Sequence, residues 1–167
     1  MNSKNKAKKI ISILNKFYPT TTSPLKYKNI FTFLISVLLS AQCTDKNVNN
    51  VTKNIYPNYY KPIHFVKLGK KKIQRLIKKI GIYRIKAKNI YFLSKKILLE
   101  HNGVVPKTFV ELEKLPGVGH KTASVIMSQA YGHPAFPVDT HIHRLAQRWG
   151  LTNGKSVIQT ERDLKKI

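Results

Sequence analysis

The 167-residue chain is 42% hydrophobic and carries 31 Lys+Arg against 7 Asp+Glu, a formal charge of +24. That apolar content excludes a disordered tail or a fibrous repeat, and the length allows one domain, or a domain plus part of another, around a real core. So large a cationic excess repels itself unless a polyanion neutralises it, which makes nucleic acid the expected partner. Part of the excess is compositional, because Lys greatly outnumbers Arg and the chain is rich in Ile and Asn, as an AT-rich coding sequence also produces. Cys43 is the only cysteine, so an internal disulfide and a thiolate metal cluster are both excluded. The longest apolar run, Ile30 to Leu39, is broken by Thr32 and Ser36 and falls far short of the ~20 residues a membrane span needs. The basic N-terminus leads into an amphipathic helix with no small-residue cleavage site, so no signal peptide is expected. These features suit a soluble, cytoplasmic protein.

In chain order, Ala7, Ile10, Ile11, Leu14, Phe17 and Tyr18 recur at three and four and predict a first helix that stops at Pro19. Thr20 to Pro24 reads as a linker, and Asn29 opens the apolar helix of Ile30 to Leu39. A third helix is expected from about Asp45 to Tyr56, before Pro57. Short pieces follow at Ile63 to Leu68 and Lys71 to Ile80, halted by Gly69 and Gly81. Ile85, Ile90, Leu93, Ile97 and Leu98 mark a long amphipathic helix to about His101, with Gly103 beyond its end. Thr108 to Glu111 has the spacing of a capping box for a helix that stops at Pro116. Further helices run from the Leu115 to Gly119 stretch to about Tyr131, and from Thr140 to Trp149, separated by the Pro-rich Gly132 to Pro137 loop. Ser156 to Gln159 resembles a second capping box near the end. No strand pattern survives, and the expected class is all-α.

The stretch Leu115-Pro116-Gly117-Val118-Gly119 links two of these helices. Proline ends the first, and glycines permit backbone angles closed to other residues and let main chain approach a ligand closely. Amide groups at the start of the next helix, with the positive end of its dipole behind them, make an anion site that suits a DNA phosphate. Glycine pairs also occur in ordinary tight turns, so the surrounding motifs decide the reading.

Those motifs are Leu115 to Ala123, Pro137-Val138-Asp139-Thr140-His141, Leu38 to Gln42 with Thr44-Asp45, Ile80 to Tyr83, and Lys86-Ala87. Together, and in this order, they resemble endonuclease III, the bifunctional DNA glycosylases of the helix-hairpin-helix superfamily, along essentially the whole chain. The resemblance implies a multi-helical glycosylase fold with a helical barrel domain at 25–134 and the helix-hairpin-helix at about 108–131. Residues 1–24 and 135–167 would form an incomplete second helical domain. It also implies a monomer that excises damaged (oxidised) pyrimidines from duplex DNA and cleaves abasic sites, without a membrane, in the bacterial cytoplasm near the nucleoid.

By the same resemblance the nucleophile is Lys121 and its acidic companion Asp139. An amine attacks the sugar C1′ only when unprotonated, and at an ordinary pKa only about one lysine in a few thousand is neutral at pH 7. A helix N-terminus and neighbouring cations favour the neutral amine. Asp139 opposes that shift if near, so its benefit lies in stabilising the cationic sugar or assisting proton transfer, and helix capping is compatible with either. An imine at C1′ acidifies the C2′ proton and allows β-elimination of the 3′ phosphate, so one lysine accounts for base excision and strand nicking.

To expose C1′, the nucleotide must leave the stack and the hole must be filled. The resemblance assigns that to Gln42, whose amide can pair with the orphaned base, and to Ile82, an aliphatic wedge where Leu is the family's usual residue. Gly117, Val118 and Gly119 of the hairpin and His141 complete the implied DNA-binding set. His141 and His143 lie two apart on one helix and point to different sides, so no metal site is expected. His120 is read as facing solvent or phosphate. The family continues to a four-cysteine loop holding a [4Fe-4S] cluster, and with Cys43 alone the chain has no such ligand set. A chain truncated before the cluster, with apolar surface left uncovered, is therefore expected. The competing reading is a catalytically impaired DNA-binding module from a truncated gene, keeping the hairpin and the charge.

Overall fold

Every regular element among the described residues, 2–19 and 23–167 of the computed structural model, is a helix. Of the expected linker, residues 20–22 lie outside the described set. The chain divides into two compact units, one built from Ser23–Ala135 and the other from Met1–Thr22 with Phe136–Ile167.

The larger unit is organised by α2 (Ile30–Ser40), in which every side chain from Phe31 to Leu39 is buried. Its start is fixed by a reciprocal box: Asn29 Oδ1 accepts the Thr32 N–H at 2.9 Å, and Thr32 Oγ1 accepts the Asn29 N–H at 2.9 Å. Helix α3 (Asp45–Thr52) is capped by Thr44 and ends before the expected Tyr56. Burial accounts for the early stop. The chain tightens into turns, with Ile55 N–H bonded to Thr52 O at 2.9 Å, and this brings Ile55 and Tyr56 into the core. There the Tyr56 hydroxyl sits 2.6 Å from Ser36 Oγ and donates to Thr32 O at 3.0 Å, and burial pushes its pKa up.

Helix α4 (Pro62–Leu76) begins on a proline and breaks at Gly69, whose φ of 71° and ψ of 162° are non-helical. The two expected pieces are therefore real, but the second stops at Leu76 and not at Ile80. The intervening turn packs Ile77 and Ile80 fully inside. Helix α5 (Tyr83–Glu100) lies against α4, buries Ile90, Leu93 and Ile97 completely, and ends where the Gly103 N–H reaches Ile97 O at 2.9 Å. Ile85, expected on its apolar stripe, is instead exposed. Helices α6 (Phe109–Glu113) and α7 (His120–Gln129) complete this unit, with α7 packed on both α6 and α2. At α6, Thr108 Oγ1 accepts the Glu111 N–H at 3.2 Å, but the Glu111 carboxylate bonds the Thr108 hydroxyl and not its main chain.

The second unit contains α1 (Ser3–Phe17), α8 (Thr140–Arg148) and α9 (Val157–Leu164). Helix α1 buries none of its residues. Its stripe of Ile10, Ile11 and Leu14 lines an apolar groove of about 770 Å³, with Ile142, Leu145 and Trp149 on the other side. Ser156 caps α9, and His143 Nδ1 lies 2.7 Å from Thr160 Oγ1, joining α8 to α9. No helix of the described residues is long and apolar enough to cross a membrane.

Tyr56→Phe deletes a buried hydroxyl that serves two partners on α2, leaving Thr32 O without that donor. The variant should lose about 1–3 kcal/mol of stability in urea titration, while Tyr59→Phe, at the edge of the core, should lose less than about 0.5 kcal/mol.

Candidate functional site

The hairpin between α6 and α7 is held from inside by Leu115 and Val118, both buried, and by the Val118 N–H, which donates to Leu115 O at 3.0 Å. Val118 thus serves the core, and its amide is already engaged. Gly117 has a φ of 81°, and a Cβ placed on it would lie 2.7 Å from Asn89 Nδ2 and 3.0 Å from Asn89 Cβ. No other residue fits that contact with α5 without displacing it. Gly119 is the N-cap of α7, with ordinary extended backbone and nothing within 4 Å of where a Cβ would stand. No side chain caps this helix start. The hairpin therefore presents an open, glycine-lined helix N-terminus, which is suited to an anion. Lys121 is the second residue of α7 and is exposed. His120 is tied back to α6, with Nδ1 2.7 Å from Glu113 Oε1 and its ring stacked on Phe109 at 5.8 Å.

The structure brings Gln42 and Ile82 together by an unexpected route. Both adopt left-handed backbone, with φ of 54° and 56°, and Asn102 is the only other non-glycine residue of the described set to do so. For a β-branched residue such as Ile82 this is a true outlier, and each such residue stores about 1–3 kcal/mol of strain. Both are exposed, Ile82 by 51%. Their turns abut: a methyl built on Gly81 would lie 3.7 Å from the Gln42 carbonyl oxygen, and Asn47 Nδ2 donates to Lys79 O at 3.1 Å across the same seam. Exposed Lys46, Lys78, Lys79 and Arg84 surround the pair in sequence, and no acidic residue occurs between Asp45 and Glu100.

In the other unit, Asp139 caps α8, with Oδ1 accepting the N–H groups of His141 at 3.0 Å and Ile142 at 2.9 Å. The carboxylate, and not Thr140, takes the cap. His141 is exposed, with Nδ1 3.5 Å from an Arg144 nitrogen, whereas His143 turns toward Thr160.

No group of three or more His, Cys, Asp or Glu side chains among the described residues could hold a metal ion. Cys43 is partly buried with its sulfur 3.3 Å from Asn47 Nδ2, and one thiol does not fit a four-thiolate cluster.

Lys86 enters the sequence reading only as part of the Lys86-Ala87 motif, with no role assigned, and Asn89 does not enter it. Lys86 falls in register with Ile90, Leu93 and Ile97 on the inner face of α5, and a lysine on an apolar face is the signal that could have marked it. It is buried, and its Nζ donates to Leu39 O at 2.9 Å and Ala41 O at 2.6 Å. Asn89, one turn further on, is half-buried against Gly117.

Residues 35–167 match the HhH-GPD superfamily of base excision DNA repair proteins. The chain is 43% identical over 165 residues to endonuclease III of Escherichia coli, an alignment covering 98% of this chain and 78% of that protein. It is 44% identical over 152 residues to endonuclease III of Bacillus subtilis, covering 90% of this chain and 69% of the relative. A solved trapped endonuclease III–DNA covalent intermediate matches with a TM-score of 0.93 at 40% identity, over 100% of this chain and 79% of that one. A thermostable thymine-DNA glycosylase shares the fold, with a TM-score of 0.84 at 22% identity.

The two hairpin glycines should separate in mutagenesis. Gly117→Ala meets both a forbidden φ and Asn89 and should cost about 2–4 kcal/mol in denaturant titration. Gly119→Ala should cost only about 0.5–1 kcal/mol, the loss of a better N-cap residue. Because its methyl points into open space, it should nonetheless weaken duplex DNA binding, read by fluorescence anisotropy, on the order of tenfold.

Proposed function

Given that the chain belongs to the endonuclease III family of the HhH-GPD superfamily, and so is a DNA glycosylase and AP lyase that binds DNA, we propose that Lys121 is its nucleophile and that its substrates are damaged pyrimidines in duplex DNA. The observation that carries the assignment is the place of Lys121: an exposed amine in the first turn of α7, two residues from an N-cap glycine with open space beside it. A phosphate seated on that helix start holds the strand next to the amine, and orientation of this kind lowers the barrier.

The chemistry then runs in four steps. The neutral Lys121 amine forms a bond to C1′ while the glycosidic bond breaks, and the base departs with the bonding pair and takes up a proton. The sugar ring opens as the C1′–O4′ bond breaks, O4′ takes up the proton that the nitrogen gives up, and an iminium forms between Lys121 and C1′. Loss of a C2′ proton drives β-elimination, and the 3′ phosphate leaves with the electron pair of its C–O bond. Water hydrolyses the remaining imine and frees the lysine.

Asp139 stabilises the positive charge that develops on the sugar as the base leaves, its orientation fixed by the two N–H groups it accepts. Gln42 and Ile82 fill the space vacated by the extruded nucleotide, one as a hydrogen-bonding amide and the other as an aliphatic wedge. Their exposed, left-handed turns support this, because strain of that kind is stored where a side chain must project. The hairpin and the lysine lie on one chain, so a monomer suffices.

Borohydride reduction on an abasic duplex should trap the wild-type protein covalently, and Lys121→Ala should lose the adduct and the nick while still binding the duplex. An undiminished adduct in Lys121→Ala would reject the assignment. Asp139→Asn keeps a good N-cap and should change stability by less than about 0.5 kcal/mol, yet slow base excision on the order of a hundredfold in single-turnover assays.

A further inference from the structure

Lys86 is 6% exposed, in the core face of a helix, within a stretch that contains no acidic residue from 46 to 99. A buried ammonium is costly unless its donors are met. Here two of the three are met by main chain: Leu39 O at 2.9 Å and Ala41 O at 2.6 Å, both at the C-terminal end of α2. Those are carbonyls that the helix cannot satisfy itself, and they carry the negative end of its dipole. Burial lowers the pKa of Lys86, and the nearby Cys43 partly offsets that.

Two connections make this more than a helix cap. Ala41 is followed directly by Gln42, held at a φ of 54° where helices commonly place glycine. The Lys86 main-chain N–H donates to Ile82 O at 3.2 Å, and Ile82 is the other exposed left-handed residue. The Lys86 side chain therefore holds the carbonyl next to the strained Gln42 turn from a point one helical turn beyond Ile82, whose carbonyl opens the main-chain bonding of α5.

We propose that Lys86 is a positioning residue that locks these two turns into one rigid element, so that the Gln42 amide and the Ile82 side chain enter the duplex together. This rests on the reading that Gln42 and Ile82 fill the vacated stack. Lys86 itself touches no substrate. Its removal should therefore matter where a paired nucleotide must be extruded and replaced, and not where the sugar is already accessible.

The test compares single-turnover rates on two substrates: a duplex carrying an oxidised pyrimidine, and a single-stranded oligonucleotide with a preformed abasic site, which has no stack to fill. Lys86→Met should slow the duplex reaction about tenfold or more and the single-strand reaction less than about twofold. Adding Gln42→Ala to Lys86→Met should cost little further, because the lysine acts through that residue, and Lys86→Arg, which keeps a cationic donor pair, should recover most of the rate. Equal slowing of both substrates, or losses that multiply in the double variant, would overturn the proposal. If Gln42→Ala and Ile82→Ala alone leave the duplex rate unchanged, the insertion reading fails and the proposal with it, whatever Lys86→Met does. Should Lys86→Met not fold, Lys86→Gln, which retains one uncharged donor, carries the same comparison.

Discussion

A helix buried on every side must end somewhere, and its last carbonyls then need donors that neither its own backbone nor water supplies. Helix α2 is in that position, with an unbroken run of buried side chains from Phe31 to Leu39. Its N-terminal end is closed by the Asn29 and Thr32 box and its flank by the Tyr56 hydroxyl. Its C-terminal end is closed by an ammonium from α5. Because that donor comes from another helix, satisfying α2 also fixes where the next turn lies, and the exposed Gln42 is on that turn.

Helix α5 collects the consequences. Its N-cap is Ile82, its first inward cation is Lys86, and Asn89 one turn later meets Gly117 so closely that a methyl group there would collide with it. The two turns and the hairpin are thus referenced to one rigid rod whose remaining inner face, Ile90, Leu93 and Ile97, is completely buried. Strained backbone persists only when its surroundings over-determine it. The packing of α5 against α4 and α2 provides that here.

Much of this fold was legible from residue order, and the reasons are physical. Caps with a side-chain oxygen, such as Asn29, Thr44, Thr108 and Ser156, act locally, so their helices begin where expected. The breaks at Gly69 and Gly103 are equally local, arising from positive φ. What local signals could not foretell were tertiary effects. Helix α3 stops at Thr52 because Ile55 and Tyr56 find better burial in a turn, and the second part of α4 stops at Leu76 for the same reason. In the candidate site, the hairpin was legible because glycines state their purpose, and Asp139, for which capping was read as a compatible role, is the cap of α8. The left-handed backbone of Ile82 contradicts the preference of a β-branched residue, and a buried lysine contradicts the preference of its type, so neither could be read from the order alone.

The proposed function turns on one covalent event, the joining of the Lys121 side chain to deoxyribose. The most direct test is to reduce the complex on an abasic duplex, digest the DNA and the protein, and locate the added sugar by tandem mass spectrometry. The account predicts that the remnant sits on the ε-nitrogen of Lys121, and that the missed tryptic cleavage falls there. A remnant on the chain's amino terminus or on another lysine, with Lys121 unmodified, would contradict it.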